Sequence, residues 1–235
     1  MNKNLLLLSS SREGNTEYLS HAKPMINDHL KGITEVLFIP YAGVSISYDE
    51  YTERVQSALS DCQITIVGIH QCADPIAAVK EAKAIAVGGG NTFHLLHQLY
   101  QHKLVKEIQT RVNDGCPYIG WSAGSNIAGM SIKTTNDMPI IQPKSFDALN
   151  LVPIQLNPHY TDFNPPGHNG ETREQRLQEF MVLNPTTYVI GIQEGSALKM
   201  QNNHLRLIGG KQGFVFKAGD KTTVEDQSDL SHLLP

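Results

Sequence analysis

Residues 118–124 read Tyr-Ile-Gly-Trp-Ser-Ala-Gly, a short apolar run that leads directly into a Gly-x-Ser-x-Gly pattern. The pattern is typical of a strand that turns sharply into a helix and leaves a serine hydroxyl accessible at the turn. Small residues flank the serine for a physical reason, because a Cβ atom there would collide with the strand or the helix. We therefore expect Ser122 to be a nucleophile, and the competing interpretation is a glycine-rich turn with an ordinary serine.

Short apolar runs recur through the first half of the chain and alternate with segments of helical spacing. This alternation predicts an α/β fold with a doubly wound, mostly parallel sheet flanked by helices on both faces. The last helical segment is expected to break near residues 102–103. The predicted strands span residues 5–8, 36–39, 64–69, 84–87 and 118–119, and the predicted helices span residues 16–30, 48–60, 74–82 and 92–113.

The pattern becomes less regular after Ser122. Six prolines between residues 136 and 167 favour extended loops, and residues 170–183 then read as a helix that ends before Pro185. Residues 188–192, 197–200, 204–208 and 214–217 resemble strands joined by tight turns, which predicts a small antiparallel element at the C-terminal end. The polar tail from Asp220 onward is expected to fray. We interpret residues 1–235 as a single α/β domain.

Composition and charge argue against several classes of function. The chain has 235 residues, 40% of them hydrophobic, and a net charge of −4, so it lacks the basic surplus that nucleic-acid binding requires. No stretch approaches the ~20 apolar residues that span a bilayer, and the apolar run at residues 5–8 is too short for a signal peptide. Cys62, Cys72 and Cys116 lack CxxC spacing, which favours reduced thiols and a cytoplasmic location. We expect a small-molecule substrate.

A nucleophilic serine needs a base, and the base needs an acid that orients it. His159 follows a short strand and begins the proline-rich loop, which is a suitable place for the base. Two acids compete for the third position: Glu194, where the strand 188–192 ends, and Asp137, in the sequence Thr-Thr-Asn-Asp-Met-Pro. Position favours Glu194, and Asp137 remains the alternative.

A glycine run at residues 88–90 follows a predicted strand and precedes a helix. Backbone amides at the positive end of a helix bind anions, so we expect the amides of Gly89 and Gly90, with that of Ala123, to form an oxyanion hole. Asn91, the next residue, is expected to contact the substrate. The alternative of a dinucleotide-binding loop fails because Phe93 stands where the third glycine is needed.

Two further groups of polar residues are candidates for binding a substrate or a metal ion. Arg173 lies at the start of the charged helix 170–183, where its guanidinium is placed to bind a substrate carboxylate, although such a charged run is more often a solvated face. His94 and His97 are spaced to share a metal ion, but no cysteine or carboxylate cluster accompanies them. We therefore expect no metal.

Five segments in order resemble the peptidase E family of α-aspartyl dipeptidases: residues 87–93, 119–126, 134–139, 157–159 and 170–176. The resemblance extends almost end to end. It implies a class I glutamine-amidotransferase-like fold in which a serine replaces the amidotransferase cysteine, and a serine peptidase that cleaves dipeptides with an N-terminal aspartate. By position, Ser122 is the nucleophile, His159 the base and Arg173 the group that binds the aspartyl side chain. Both Glu194 and Asp137 match acids of the family.

The resemblance implies that no cofactor is needed, and it leaves open whether the protein is a monomer or a homodimer. Two alternatives remain. One is a cyanophycinase-like exopeptidase that acts on β-Asp-Arg linkages and shares the serine turn. The other is a non-catalytic binding module of the amidotransferase-like fold. A glutamine amidotransferase is disfavoured because position 122 is serine.

Overall fold

The computed structural model describes residues 3–167 and 169–234, and the strands and helices of that part of the chain alternate through its first half. The strands are β1 (Asn4–Leu8), β2 (Glu35–Ile39), β3 (Thr65–Gly68), β4 (Ile85–Val87), β5 (Tyr118–Trp121), β6 (Gln155–Asn157), β7 (Val189–Ile192), β8 (Ala197–Gln201), β9 (His204–Ile208), β10 (Gly213–Lys217) and β11 (Asp220–Val224). The α-helices are α1 (Lys23–His29), α2 (Tyr48–Ala58), α3 (Pro75–Glu81), α4 (Thr92–Gln101), α5 (Leu104–Asn113), α6 (Ala123–Asn126) and α7 (Arg173–Leu183).

Seven strands form the main sheet, in the order β3-β2-β4-β5-β1-β8-β9. The first five are parallel, whereas β8 runs antiparallel to β1 and β9 antiparallel to β8. Parallel strands share one carboxyl edge, so the loops that follow β1, β4 and β5 lie side by side. Ligands of open α/β sheets bind at this edge. Ser9, the glycine run 88–90 and Ser122 all follow these strands directly.

Both faces of the main sheet are buried, which explains why its strands read as continuous apolar runs. Alternate residues of β1 point to opposite faces: Leu5 and Leu7 pack in one core, and Leu6 and Leu8 in another. The first core includes residues of α3, α4 and α5, and the second includes residues of α1 and α2. The predicted doubly wound α/β fold is thereby confirmed.

A second sheet has the order β11-β10-β7-β6 and carries the residues that follow the proline-rich segment. β6 and β7 are parallel, and β10 is antiparallel to β7 and to β11. Helix α7 covers one face, where Leu177 and Met181 pack against Phe214 and Phe216. On the other face Leu156 and Ile190 join the core beneath the main sheet. The second sheet thus holds the ends of β6 and β7 beside the carboxyl edge of the main sheet.

Three predictions about elements were wrong. The first helix begins at Lys23 and not at residue 16, since residues 20–22 form a 3₁₀ turn and Pro24 lies in the first helical turn. The tail does not fray at Asp220, because residues 220–224 form β11 and pair with β10. The predicted strands 204–208 and 214–217 are not paired through a tight turn, because β9 and β10 belong to different sheets.

Of the helices in the described ranges, none has both the length and the apolar character needed to cross a bilayer.

Candidate active site

Ser122 lies at the turn between β5 and α6 in a backbone conformation that side chains rarely adopt, with φ 54° and ψ −113°. Such strain recurs at functional sites, where the surrounding structure maintains it. The Ser122 N–H donates to the carbonyl oxygen of Leu8 at 3.2 Å, which ties the turn to β1. Gly124 is required on the helical side, because a Cβ atom there would overlap the carbonyl oxygen of Val87. The turn therefore has the geometry that the Gly-x-Ser-x-Gly pattern predicts.

His159 approaches Ser122 from the loop after β6. Its Nε2 lies 2.9 Å from Ser122 Oγ, and its own backbone has φ 56°. The His159 N–H donates to Ser9 Oγ at 2.9 Å, and Ser9 Oγ donates in turn to the carbonyl oxygen of Ile192 at 2.8 Å. A buried serine at the end of β1 thus links the histidine loop to β7 and fixes the imidazole opposite Ser122.

Glu194, just beyond β7, contacts the other nitrogen of the imidazole. Its Oε1 lies 2.7 Å from His159 Nδ1. An ionised carboxylate only accepts hydrogen bonds, so this contact assigns the proton of a neutral imidazole to Nδ1 and leaves Nε2 as an acceptor for the Ser122 hydroxyl. The three side chains form one chain of hydrogen bonds from carboxylate to hydroxyl.

Asp137 faces a different group. Its Oδ2 accepts the backbone N–H of Thr92 at 2.7 Å and the hydroxyl of the same residue at 2.5 Å. These bonds hold the carboxylate at the N-terminus of α4, a favourable position for a negative charge. The geometry brings Glu194, and not Asp137, against His159, although Asp137 and Ser122 line the same cavity.

The glycine loop between β4 and α4 lies against Ser122, since a Cβ atom on Gly89 would come 2.9 Å from the Cβ of Ser122. Within the described residues, the N–H groups of Gly89, Gly90 and Ala123 donate to no protein acceptor. Tyr51 holds the loop in place, since its hydroxyl donates to the carbonyl oxygen of Gly89 at 2.8 Å. Gly90 has φ 139°, and a Cβ atom on it would overlap the Ala42 carbonyl. Only glycine therefore allows this loop its close approach to the loop after β2.

Two cavities meet at Ser122 and His159, the two residues that line both. The smaller, of about 200 Å³, is polar and contains Asp137 and Arg173. The larger, of about 430 Å³, extends over the glycine loop towards α2. The guanidinium of Arg173 is half-buried and forms no ion pair with the described residues. Burial, with a smaller contribution from the charge of Arg176, lowers the pKa of Arg173, and the opposing charges of Glu194 and Asp137 offset this only in part.

Asn91 lines the larger cavity, but both ends of its side-chain amide are already engaged. Its Oδ1 accepts the N–H of His94 at 3.0 Å and its Nδ2 donates to the carbonyl oxygen of Met138 at 2.8 Å. Asn91 therefore caps α4 and anchors the loop that carries Asp137. His94 and His97 direct their Nδ1 atoms to the carbonyl oxygens of Tyr41 and Gln142 rather than to each other. Across residues 3–167 and 169–234 there is no group of three or more potential metal ligands.

Several residues that support the site were not among the predicted site residues. Ser9 anchors the histidine loop, and its position directly after β1 was the signal that could have revealed it. Tyr51 lies in an aromatic cluster, where Trp121 Nε1 donates to the hydroxyl of Tyr18 at 3.0 Å and Tyr18 donates to Tyr51 at 3.2 Å. No local sequence pattern indicates this cluster, because its members come from three distant segments.

Comparison with known proteins assigns a family. A model of peptidase family S51 matches residues 5–208. Proteins named peptidase E from Shewanella amazonensis (strain ATCC BAA-1098 / SB2B) and Shewanella sp. (strain ANA-3) are 55% and 56% identical to this chain, and each alignment covers 100% of both sequences.

Solved structures agree with this assignment. A candidate peptidase E protein from Listeria monocytogenes EGD-e superimposes with a TM-score of 0.66 at 25% identity, covering 88% of this chain and 98% of its own. A peptidase from an acI-B1 Actinobacterium shares the fold, with a TM-score of 0.73 at 17% identity over 98% of this chain and 97% of its own. Because the family model and the full-length relatives agree, this chain belongs to peptidase family S51 and is a hydrolase of peptide bonds.

Proposed function

We propose that this peptidase is a serine-type dipeptidase that cleaves peptides after an N-terminal aspartate, with Ser122 as nucleophile, His159 as base and Glu194 as the acid that orients the base. One observation carries the proposal: the two nitrogens of His159 lie 2.9 Å from Ser122 Oγ and 2.7 Å from Glu194 Oε1. This is the arrangement of a nucleophile, a base and an orienting acid.

The chemistry proceeds through an acyl-enzyme. His159 Nε2 takes the proton of Ser122 as the oxygen attacks the carbonyl carbon of the aspartyl residue, and a tetrahedral oxyanion forms. The imidazolium then gives that proton to the departing amine, the C–N bond breaks, and the aspartyl group remains on Ser122 as an ester. A water molecule, deprotonated by the same imidazole, hydrolyses the ester and releases aspartate.

The free amides of the glycine loop are suited to the oxyanion. Amides of Gly89, Gly90 and Ala123 have no other acceptor within the described chain, so they are available to a developing negative charge. Each well-placed donor contributes about 3–4 kcal/mol to the transition state. Tyr51 contributes indirectly, because it fixes the Gly89 carbonyl and so the direction of the amides that follow.

The smaller cavity fits an aspartyl residue with a free amine. Arg173 is half-buried and without an ion-pair partner among the described residues, so it offers a binding site for the side-chain carboxylate. Asp137 lines the same cavity with the opposite charge, and we assign it the α-ammonium group. An uncharged side chain would leave the Arg173 charge unpaired, which disfavours peptides that begin with other residues. We assign Asn91 a supporting role and no substrate contact.

The alternatives receive less support. Full-length similarity to proteins named peptidase E does not favour a cyanophycinase-like enzyme. A non-catalytic binding module has no need of the contacts between Ser122, His159 and Glu194. The three cysteines Cys62, Cys72 and Cys116 are free thiols, and on that basis we propose a reducing, cytoplasmic setting.

Hydrolysis of Asp-Leu, Asn-Leu and Glu-Leu by matched variants tests the proposal. Ser122→Ala should abolish cleavage of Asp-Leu. Arg173→Met should lower kcat/KM for Asp-Leu at least ~100-fold and remove the preference over Asn-Leu, because a buried charged contact is lost. Arg176→Met is the control, since this arginine lies on the same helix but is exposed and near Glu171 at 3.7 Å. Cleavage of Asp-Leu by Ser122→Ala at the wild-type rate would refute the proposal.

A further inference from the structure

We propose that Arg54 binds the C-terminal carboxylate of the substrate and thereby selects peptides with only one residue after the scissile bond. This inference rests on the proposed function and concerns the leaving group. Neither the family assignment nor the proposed triad identifies a residue that binds it. It follows from how the two cavities are joined.

The two cavities share Ser122 and His159 and no other lining residue. A scissile bond attacked by Ser122 must lie at this junction, so the residues on its two sides enter different cavities. The acyl part occupies one cavity, and the amine that leaves occupies the other. Because His159 protonates that amine, the leaving residue must lie close to the imidazole whichever cavity it occupies.

Size and charge determine which residue enters which cavity. The smaller cavity is polar and holds both Arg173 and Asp137, which match the carboxylate and the ammonium of an N-terminal aspartate. The larger cavity has more than twice the volume, about 430 Å³ against about 200 Å³, and apolar side chains at its rim. Those side chains are Val44, Ile46 and Ile140. A variable second residue fits this larger, partly apolar space.

Arg54 lines the larger cavity and brings a positive charge to it. It follows Tyr51 by three residues on α2, and residues so spaced lie on the same face of a helix. Tyr51 lies against the glycine loop, so Arg54 faces the same cavity. Glu50, one helical turn before Arg54, attracts it by charge but accepts its hydrogen bonds from Ser47 as part of the N-terminal cap.

The Arg54 guanidinium has no salt bridge or hydrogen bond to the residues that the structure describes. An anion that arrives in the larger cavity therefore meets a guanidinium whose hydrogen-bond donors have no acceptor among the described residues, with the charge of Glu50 one helical turn away. In a dipeptide that anion is the terminal carboxylate, separated from the scissile carbonyl by a single residue. In a longer peptide the same position holds a neutral peptide group, and the carboxylate lies farther away.

Matched pairs of acid and amide substrates test this inference. The wild-type protein should cleave Asp-Leu with a kcat/KM about 10-fold above that for Asp-Leu-amide, an effect typical of one exposed charge-assisted contact. In Arg54→Met this ratio should fall to about one, and Arg54→Lys should restore part of it. Arg206→Met is the control, because Arg206 is also exposed but lies on β9 and lines a separate cavity.

Each outcome has a separate meaning. If the wild type prefers Asp-Leu over its amide and Arg54→Met keeps that preference, Arg54 is not the carboxylate site and the inference is wrong. If Arg54→Met instead loses the preference for Asp-Leu over Asn-Leu, the aspartyl residue occupies the larger cavity and not the smaller one. The inference is then also wrong. If the wild type cleaves neither Asp-Leu nor its amide, the proposed function itself fails.

Discussion

Replacement of Glu194 by glutamine distinguishes the two acids near the site. The substitution keeps the shape of the side chain and an oxygen that accepts the Nδ1 proton of His159, but it removes the negative charge. In the proposed mechanism the imidazole becomes an imidazolium during attack, and the charge of Glu194 stabilises that cation from 2.7 Å away. The variant should therefore fold normally and lose rate in the chemical step.

The structure sets the size of the loss. Two unit charges about 4 Å apart attract by about 1 kcal/mol at the dielectric constant of water and about 4 kcal/mol at an effective value of 20. The Glu194 side chain is 51% exposed, so solvent screens it and a value towards the lower half of that range applies. We take about 2 kcal/mol, which lowers kcat roughly 30-fold.

Steady-state hydrolysis of Asp-Leu measures this loss, and Asp137→Asn is the matched comparison. Glu194→Gln should lower kcat with little change in KM. Asp137→Asn should act mainly on KM and should reduce the discrimination between Asp-Leu and N-acetyl-Asp-Leu, because we assign Asp137 to the free amine. A variant pair in which Asp137→Asn loses kcat while Glu194→Gln keeps the wild-type rate would refute the assignment of the acid.

Three further predictions concern the scaffold around the site. Ser9→Ala removes the hydroxyl that anchors His159, so we expect a loss of about 1–3 kcal/mol in the free energy of unfolding and a lower kcat; urea denaturation and kinetics at wild-type values would contradict this. Gly124→Ala places a methyl group against the carbonyl of Val87 and should cost about 2–4 kcal/mol, seen as a lower urea midpoint, whereas an unchanged midpoint would show that the turn relaxes freely. Burial, aided by a nearby lysine, lowers the pKa of His29 to about 4, so between about pH 6.5 and pH 4 the unfolded chain binds more protons than the folded protein. Stability should fall by about 3 kcal/mol as pH falls through that window, and His29→Leu should flatten this dependence; an identical pH profile in that variant would show that other groups cause it.

Sequence patterns predicted the main sheet because their physical causes are local. Strands buried on both faces must be apolar throughout, and crossover helices must separate parallel strands. The turn around Ser122 was readable for the same reason, since its glycines relieve contacts within a few residues. The C-terminal part was harder to predict, because strand pairing there depends on distant partners. β9 and β10 are neighbours in the chain but belong to different sheets.

The residues of the candidate site were likewise predictable where the signal is local and not where it depends on distant segments. Ser122 follows a strand of the main sheet, and His159 and Glu194 follow strands of the second sheet, so the sequence indicated all three as loop residues just beyond strand ends. The identity of the acid stayed open between Glu194, which its position favoured, and Asp137, because this choice depends on how β7 lies beside β6 in three dimensions. Ser9 and Tyr51 act through hydrogen bonds to segments far along the chain, and such contacts leave no periodic signal.

In the proposed mechanism, Ser122 carries the aspartyl group as a covalent ester during turnover. Hydroxylamine added during hydrolysis competes with water for such an ester, so the ratio of aspartyl hydroxamate to aspartate reports the intermediate. Asp-Leu, Asp-Ala and Asp-Phe should all give one ratio, because they share the same acyl-enzyme, and Ser122→Ala should give neither product. A ratio that changes with the leaving residue, or hydroxamate formed by Ser122→Ala, would contradict the account.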